Sequence, residues 1–140
     1  MVYLDTSVLV AALSNEQQTP RVQRWLAMQS AVSLAISDLV VTEVSSALSI
    51  KLRTGQINAD LRAKALATFQ QLVRDTLTVL PIQSWHFRSA AGLADLHQLG
   101  LRAGDALHLT VASERGAELC TLDRRLAEAG PTLGLNTRLL

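Results

Sequence analysis

The chain has few of the residues that mark several classes of protein. Its 140 residues include one cysteine, Cys120, so an internal disulfide is excluded and a reducing compartment is indicated. No apolar stretch approaches the roughly 20 residues that span a bilayer. The first residues lack the basic region and cleavage site of a signal peptide. These absences predict a cytoplasmic protein without a membrane anchor.

Aromatic residues and lysines are also scarce. Aromatic residues make up 4% of the chain and hydrophobic residues 49%, so the core is expected to consist mainly of Leu, Val and Ala. The net charge is +1, and the positive side chains are eleven arginines and two lysines. Arginine matches phosphate oxygens better than lysine does. This preference favours a nucleic-acid partner only weakly, because a GC-rich genome also raises the arginine content.

Short apolar runs alternate along the chain with longer amphipathic stretches. This alternation predicts one domain over residues 1–140, built on a parallel sheet covered by helices on both faces. Gly130-Pro131 is predicted to interrupt the regular structure after the helix over 124–129. The helix pair over 38–75 could project from the domain as an arm. The predicted strands are 2–5, 31–36, 77–82, 117–122 and, less clearly, 133–136. The predicted helices are 6–14, 20–29, 38–53, 58–75, 84–98, 103–115 and 124–129.

Four carboxylates occupy positions where an ionised group is costly. Asp5 and Asp123 follow short apolar runs, whereas Glu43 and Asp105 lie on the apolar faces of predicted helices. An isolated buried carboxylate is strongly disfavoured, so these groups need a partner. Ligands of open α/β sheets bind at the carboxyl ends of the strands, where Asp5 and Asp123 fall. We therefore expect all four acids at one edge of the sheet.

A cluster of acids with few dedicated cations points to a divalent metal ion. Hard oxygen ligands suit Mg²⁺ or Mn²⁺, and four acids could hold one ion or two. Such a metal supports hydrolysis of a phosphodiester by water without a covalent intermediate. Each acid taken alone could equally be a helix cap or a surface charge, and only their joint position favours a site.

Four short segments resemble the conserved blocks of the PIN-domain ribonucleases, and among them the VapC-type toxins of bacterial toxin–antitoxin pairs. They are Val2-Tyr3-Leu4-Asp5-Thr6-Ser7, Ser37-Asp38-Leu39-Val40-Val41-Thr42-Glu43-Val44, Leu101-Arg102-Ala103-Gly104-Asp105-Ala106-Leu107-His108 and Thr121-Leu122-Asp123. Each motif alone is loose, but the order, the spacing and the total length agree with the family. The chain departs from the family in its short tail after Asn136.

The resemblance implies a fold, an activity and partners. It implies a three-layer α/β/α sandwich with a central, mostly parallel sheet of four to five strands. The implied activity is that of an endoribonuclease dependent on Mg²⁺ or Mn²⁺, usually a homodimer, which inhibits growth and is itself inhibited by a cognate antitoxin. The implied catalytic and metal-binding residues are Asp5, Glu43, Asp105 and Asp123.

Weaker roles follow for neighbouring polar residues. Hydroxyl groups could support the acids, a metal-bound water or a phosphate, although Thr6 could instead cap the first helix; these hydroxyls belong to Thr6, Ser7 and Thr121. Arginines next to the acids could contact RNA phosphates, or could pair with the acids or with water; they are Arg102, Arg124 and Arg125.

Other interpretations remain open. A catalytically silent PIN-like module could bind RNA or protein without cleaving it. A receiver-type phosphoacceptor is disfavoured, because its strand-end lysine is missing and the only lysines are Lys51 and Lys64 in mid-chain helices. The three histidines, His86, His97 and His108, are not expected to form a site, and His108 is expected to be a partly buried helix residue.

Overall fold

Five parallel strands form the central sheet of the computed structural model, which describes all 140 residues apart from the side chain of Val32. The strands follow the order β3-β2-β1-β4-β5, so the first strand is central. All four pairings are parallel. This arrangement confirms the expected α/β class. The strands are β1 (Val2–Leu4), β2 (Leu34–Ser37), β3 (Thr78–Leu80), β4 (Glu118–Thr121) and β5 (Thr137–Leu139).

Seven α-helices flank this sheet, in agreement with the expected α/β/α sandwich. They are α1 (Thr6–Leu13), α2 (Thr19–Ala27), α3 (Asp38–Arg53), α4 (Ala59–Asp75), α5 (Ser84–Ala94), α6 (Ala103–Glu114) and α7 (Arg124–Thr132). Short 3₁₀ turns cover residues 31–33 and 97–99. No helix of the described residues is long and apolar enough to cross a membrane.

The central strand is buried on both faces. Tyr3 and Leu4 have no exposed surface, and Leu119 of β4 and Ile36 of β2 are equally buried beside them. Each fully buried aliphatic side chain of this kind stabilises the fold by about 1.5 to 3 kcal/mol. Cys120 also lies in this core, which explains its presence in an apolar strand. The buried strands hold the ends of β1 and β4 side by side, because Leu4 pairs with Cys120.

The expected break at Gly130-Pro131 was wrong, because α7 continues through both residues to Thr132. A proline inside a helix leaves the carbonyl four residues earlier without its N–H donor, which here is that of Ala127. The hydroxyl of Thr137 donates to that carbonyl at 2.7 Å. Gly130 has no Cβ, which leaves room for the Thr137 side chain. The last strand therefore begins at Thr137, and the predicted strand over 133–136 was also wrong.

Two other predicted boundaries shift, and the predicted arm is packed against the domain. Residues 31–33 form a 3₁₀ turn instead of the start of β2, and α5 ends at Ala94 instead of reaching residue 98. The α3–α4 pair is not a free arm, because both helices contact α1. Leu48 of α3 and Phe69 of α4 are buried in the main core. The outer faces of both helices and the tip that joins them, around residues 52–61, are exposed.

Candidate active site

All four predicted acids line one open cleft of about 330 Å³ at the carboxyl ends of the strands. We call it the acidic cleft. Asp5 follows β1 and Asp123 follows β4, while Glu43 and Asp105 come from the first turns of α3 and α6. The remaining lining residues are Thr6, Ser7, Ser46, Ala47, Ile50 and His108.

Asp5 is the most buried of the four acids, with 5% of its surface exposed. It caps α1, because its Oδ1 accepts the backbone N–H of Val8 at 3.3 Å. The hydroxyl of Ser7 donates to Oδ1 at 2.6 Å, and that of Thr121 donates to Oδ2 at 2.7 Å. Burial raises the pKa of Asp5, and these hydrogen bonds offset that effect only in part. A nearby cation would therefore stabilise the ionised form.

Two of the predicted supporting hydroxyls fasten the ends of β1 and β4 together. The Ser7 hydroxyl accepts the backbone N–H of Leu122 at 2.9 Å, and the Thr121 hydroxyl accepts that of Asp123 at 2.9 Å. Each hydroxyl thus accepts from the β4 end while it donates to Asp5. The carboxylate orientation is consequently linked to the pairing of the two strands.

Glu43 projects from α3 with about a third of its side chain exposed. Its Oε2 accepts two hydrogen bonds, one from the Thr6 hydroxyl and one from Nε2 of His108 at 2.9 Å. Partial burial opposes ionisation of Glu43, but these donors outweigh it and lower the pKa of the carboxyl. Thr6 is thus the first residue of α1 and a partner of Glu43, whereas Asp5 supplies the helix cap.

His108 was the main residue of the cleft that sequence reasoning set aside. It is 4% exposed, which makes it buried instead of partly buried. Its Nδ1 lies 2.8 Å from the Tyr3 hydroxyl, which in turn lies 2.7 Å from the Ser37 hydroxyl. The spacing of three residues from Asp105 places His108 one helical turn away on a similar face, and this spacing was the available signal. Tyr3 and Ser37 gave no signal, because both lie in apolar strands.

Asp105 and Asp123 act as caps at the starts of their helices. Oδ2 of Asp105 accepts the Arg102 N–H at 2.9 Å. Oδ1 of Asp123 accepts the N–H groups of Arg125 at 2.8 Å and Leu126 at 3.3 Å. Asp123 is exposed, and Glu43 and Asp105 are partly exposed, so the expectation that all four acids occupy positions where a charge is costly holds fully only for Asp5. A strand-end residue that caps an exposed helix start can remain solvated.

The acids suit a divalent cation in chemistry but are not gathered tightly. Among the described residues, no three His, Cys, Asp or Glu side chains are close enough to hold one ion. The cap bonds of Asp105 and Asp123 account for part of this separation. Carboxylate oxygens are nevertheless the ligands that Mg²⁺ and Mn²⁺ prefer, and Mg²⁺ is usually held by one or two carboxylates together with waters and phosphates. The donor set therefore fits such an ion.

The three predicted phosphate-binding arginines flank the acidic cleft without lining it. Arg102, Arg124 and Arg125 are all exposed. The guanidinium of Arg125 donates to the Gly100 carbonyl at 3.1 Å. The backbone N–H groups of Arg102 and Arg125 bind Asp105 and Asp123, so the chain brings both residues to the rim. The structure thus separates a carboxylate interior from an arginine border.

Known proteins share both the sequence pattern and the fold. The family model described as the PIN domain matches residues 2–130. Ribonuclease VapC47 of Mycobacterium tuberculosis is 32% identical over 98% of this chain and 95% of its own length. Ribonuclease VapC3 of Pyrobaculum aerophilum is 29% identical over 93% of this chain and 95% of its own. VapBC-5 of M. tuberculosis, described as a member of the VapBC family of toxin–antitoxin systems, superimposes with a TM-score of 0.63 at 22% identity, covering 99% of this chain and 98% of the matched chain.

Proposed function

The chain belongs to the PIN-domain family, and we propose that it is a metal-dependent endoribonuclease that serves as the toxin of a toxin–antitoxin pair. Its relatives of 32% and 29% identity are both named as VapC ribonucleases, and each is matched over nearly its whole length. The single observation that carries the proposal is the acidic cleft, which all four carboxylates line at one edge of the sheet.

The four acids are the proposed metal ligands. One or two Mg²⁺ or Mn²⁺ ions would be held by Asp5, Glu43, Asp105 and Asp123. No lysine or arginine lines the cleft that could neutralise these carboxylates instead of a metal ion. A bound ion of this kind polarises a phosphoryl oxygen and lowers the pKa of its water. Ser7 and Thr121 keep Asp5 oriented for this role, and Thr6 does the same for Glu43.

The exposed arginines at the rim are the proposed contacts for RNA phosphates. Arg102, Arg124 and Arg125 carry positive charge next to an acidic interior that would otherwise repel a nucleic acid. Phosphate contacts of this kind fix the position of a strand and carry no sequence information of their own. RNA would consequently bind across the mouth of the cleft with a phosphate directed at the acids.

A cognate antitoxin and a second copy of the chain are the proposed protein partners. VapBC-5 is described as a member of a family of toxin–antitoxin systems. We expect the antitoxin to cover the acidic cleft, with a positive side chain such as arginine inserted among the carboxylates. A complex of the two proteins in which the cleft stays open to solvent would contradict this expectation. We propose a cytoplasmic location for this chain, since its single cysteine is buried and unpaired.

Cleavage of total RNA by the purified protein tests the activity. Parallel reactions contain Mg²⁺, Mn²⁺ or excess EDTA, together with the variants Asp5→Asn and Asp60→Asn. Asp60 is exposed at the start of α4 and provides a matched Asp-to-Asn control outside the cleft. We expect cutting that requires metal, disappears in Asp5→Asn and persists in Asp60→Asn.

Two other results would change the assignment. Cutting that persists in EDTA and in Asp5→Asn would identify a contaminating nuclease and remove support for the proposal. Tight RNA binding without cleavage at any metal concentration would favour the catalytically silent module. The separation of the acids and the cap bonds of Asp105 and Asp123 are the observations that favour this second candidate.

A further inference from the structure

A continuous chain of hydrogen bonds leads from the sheet interior to the acidic cleft. It begins at the Ser37 hydroxyl, passes through the Tyr3 hydroxyl and the imidazole of His108, and ends at Glu43. The three residues before Glu43 are buried, with exposures between 0 and 4%. They come from β2, β1 and α6, so three separate elements converge on one side chain of a fourth, α3.

The donors in this chain can be assigned from elementary chemistry. An ionised carboxylate only accepts hydrogen bonds, so Nε2 of His108 donates to Glu43. With His108 in its neutral form, the other imidazole nitrogen accepts, and the Tyr3 hydroxyl donates a hydrogen bond to Nδ1. Tyr3 accepts in turn from Ser37. A tyrosine hydroxyl carries its proton at neutral pH, so it is available as a donor.

This pattern treats the two oxygens of Glu43 differently. Oε2 receives both donors, Thr6 and His108, whereas no donor is assigned to Oε1 among the described residues. Oε1 lies close to Gly104, because a Cβ added to that glycine would be 2.9 Å away from it. One oxygen of Glu43 is consequently occupied by the protein, and the other remains available to a ligand in the cleft.

We propose that His108, fixed by Tyr3 and Ser37, is a positioning residue that holds Glu43 by Oε2 so that Oε1 alone is presented to a divalent cation. The inference rests on the proposed function, because it assigns Glu43 to metal binding. It predicts that His108 sets the affinity for the cation without touching it. Partners of this type typically alter metal affinity by about 10- to 100-fold when they are lost.

The protein contains a second histidine–glutamate pair that serves as a matched control for the role of His108. His86 is also buried, and its Nε2 also lies 2.9 Å from a glutamate, Glu114. This second pair joins α5 to α6 and does not line the acidic cleft. Any general loss of packing from replacing a buried histidine should therefore appear equally at His86.

The test compares Mn²⁺ affinity, measured by titration calorimetry and electron paramagnetic resonance, across matched variants of the full chain. We expect His108→Ala to weaken Mn²⁺ binding by about 10- to 100-fold, and Tyr3→Phe to weaken it less. His108→Gln retains an N–H donor and should recover most of the affinity. His86→Ala and His86→Gln should bind Mn²⁺ as the wild type does. Circular dichroism checks that each variant is folded, and Tyr3→Phe keeps the test decisive if His108→Ala does not fold.

A second readout needs no metal. The ¹⁵N resonances of the imidazoles, assigned with the two His→Gln variants, report which nitrogen of His108 carries the proton. We expect the Nε2–H form in the wild type and a mixture of tautomers in Tyr3→Phe. An Nδ1–H form in the wild type would overturn the proposal.

The outcomes separate this inference from the proposed function. Unchanged Mn²⁺ affinity in both His108→Ala and Tyr3→Phe, alongside metal-dependent RNA cleavage, would overturn the positioning role and leave the nuclease intact. The expected affinity changes without any RNA cleavage would support the positioning role and reject the nuclease. Equal losses in His86→Ala and His108→Ala would overturn the positioning role, as would a wild type that binds no Mn²⁺.

Discussion

Two pairs in this molecule, each formed by a buried histidine and a partly exposed glutamate, have nearly the same geometry in different surroundings. His86 and His108 both place Nε2 2.9 Å from a glutamate oxygen. Nδ1 of His86 accepts a backbone N–H, that of Gln83, at 2.9 Å, whereas Nδ1 of His108 is bound by the Tyr3 side chain. His86 also stacks on Trp85, with ring centroids 3.8 Å apart.

The glutamates account for the difference between the pairs. Glu114 lies near the end of α6 with Arg115 at 3.7 Å, so its charge already has a cationic neighbour. Glu43 lies in a cleft with three other acids and without a lining arginine or lysine. The same kind of pair thus joins α5 to α6 in one place, and under our proposal it orients a carboxylate for a cation in the other. Geometry alone does not distinguish these roles, and the charge around the glutamate does.

The largest expected contrast is between the two glutamates themselves. Glu43→Gln should lower RNA cleavage by more than about 100-fold. Loss of a metal ligand should have a larger effect than the loss of a residue, such as His108, that hydrogen-bonds to the ligand. Glu114→Gln should leave cleavage within about twofold, since it lies outside the cleft and the neutral amide can still accept from His86. Initial rates at saturating Mg²⁺ measure both. Similar losses in the two variants would remove the distinction between the pairs.

His86→Ala should affect stability and spare activity. The substitution deletes a buried ring and leaves the Gln83 N–H without its acceptor. We expect a loss of about 2 to 3 kcal/mol in the free energy of unfolding. Urea denaturation gives this value, and cleavage by the folded fraction should match the wild type. A reduced rate per folded molecule would indicate that α5 also supports the cleft.

Asp5→Asn should stabilise the metal-free protein while it abolishes cleavage. The raised pKa of Asp5 means that ionisation favours the unfolded chain. Stability from protonated Asp5 is complete below about pH 4, the usual pKa of an aspartate, and is lost as the pH rises through the raised folded value. The melting temperature of Asp5→Asn in EDTA should therefore exceed that of the wild type by an amount that grows with pH, corresponding to about 1 to 2 kcal/mol. An advantage that shrinks as the pH rises would contradict this sign.

The smallest expected effects concern two helical glycines, Gly104 next to Glu43 and Gly92 away from the cleft. A Cβ at Gly104 of α6 would lie 2.9 Å from Oε1 of Glu43, whereas a Cβ at Gly92 of α5 meets nothing within 4 Å. Gly92→Ala should raise stability by about 0.5 to 1 kcal/mol through helix propensity, whereas Gly104→Ala should gain less, because its Cβ would displace Oε1 of Glu43. Only Gly104→Ala should also weaken Mn²⁺ binding, by about tenfold, or 1.4 kcal/mol. Thermal melts and Mn²⁺ titrations of both variants measure the two effects separately.

The strands and helices that carry the four acids were predicted more accurately from the sequence than the end of α7 and the last strand. Asp5 and Asp123 could be placed at one edge because short apolar strands in an α/β pattern are parallel. The end of α7 could not be placed, since the Thr137 hydroxyl that compensates Pro131 is remote from it in sequence. The Ser37–Tyr3–His108 chain escaped notice for the same reason, because its members are separated by 34 and 105 positions.

The close approach of Gly104 to Glu43 has an evolutionary consequence. The two positions share one small volume, so the length of the acid at 43 and the size of the residue at 104 should trade against each other. Related chains that carry alanine or serine at 104 are expected to carry the shorter aspartate at 43, and those with glutamate should retain glycine. A statistical coupling between these positions across many relatives would record this constraint as paired substitutions in sequences that diverged independently.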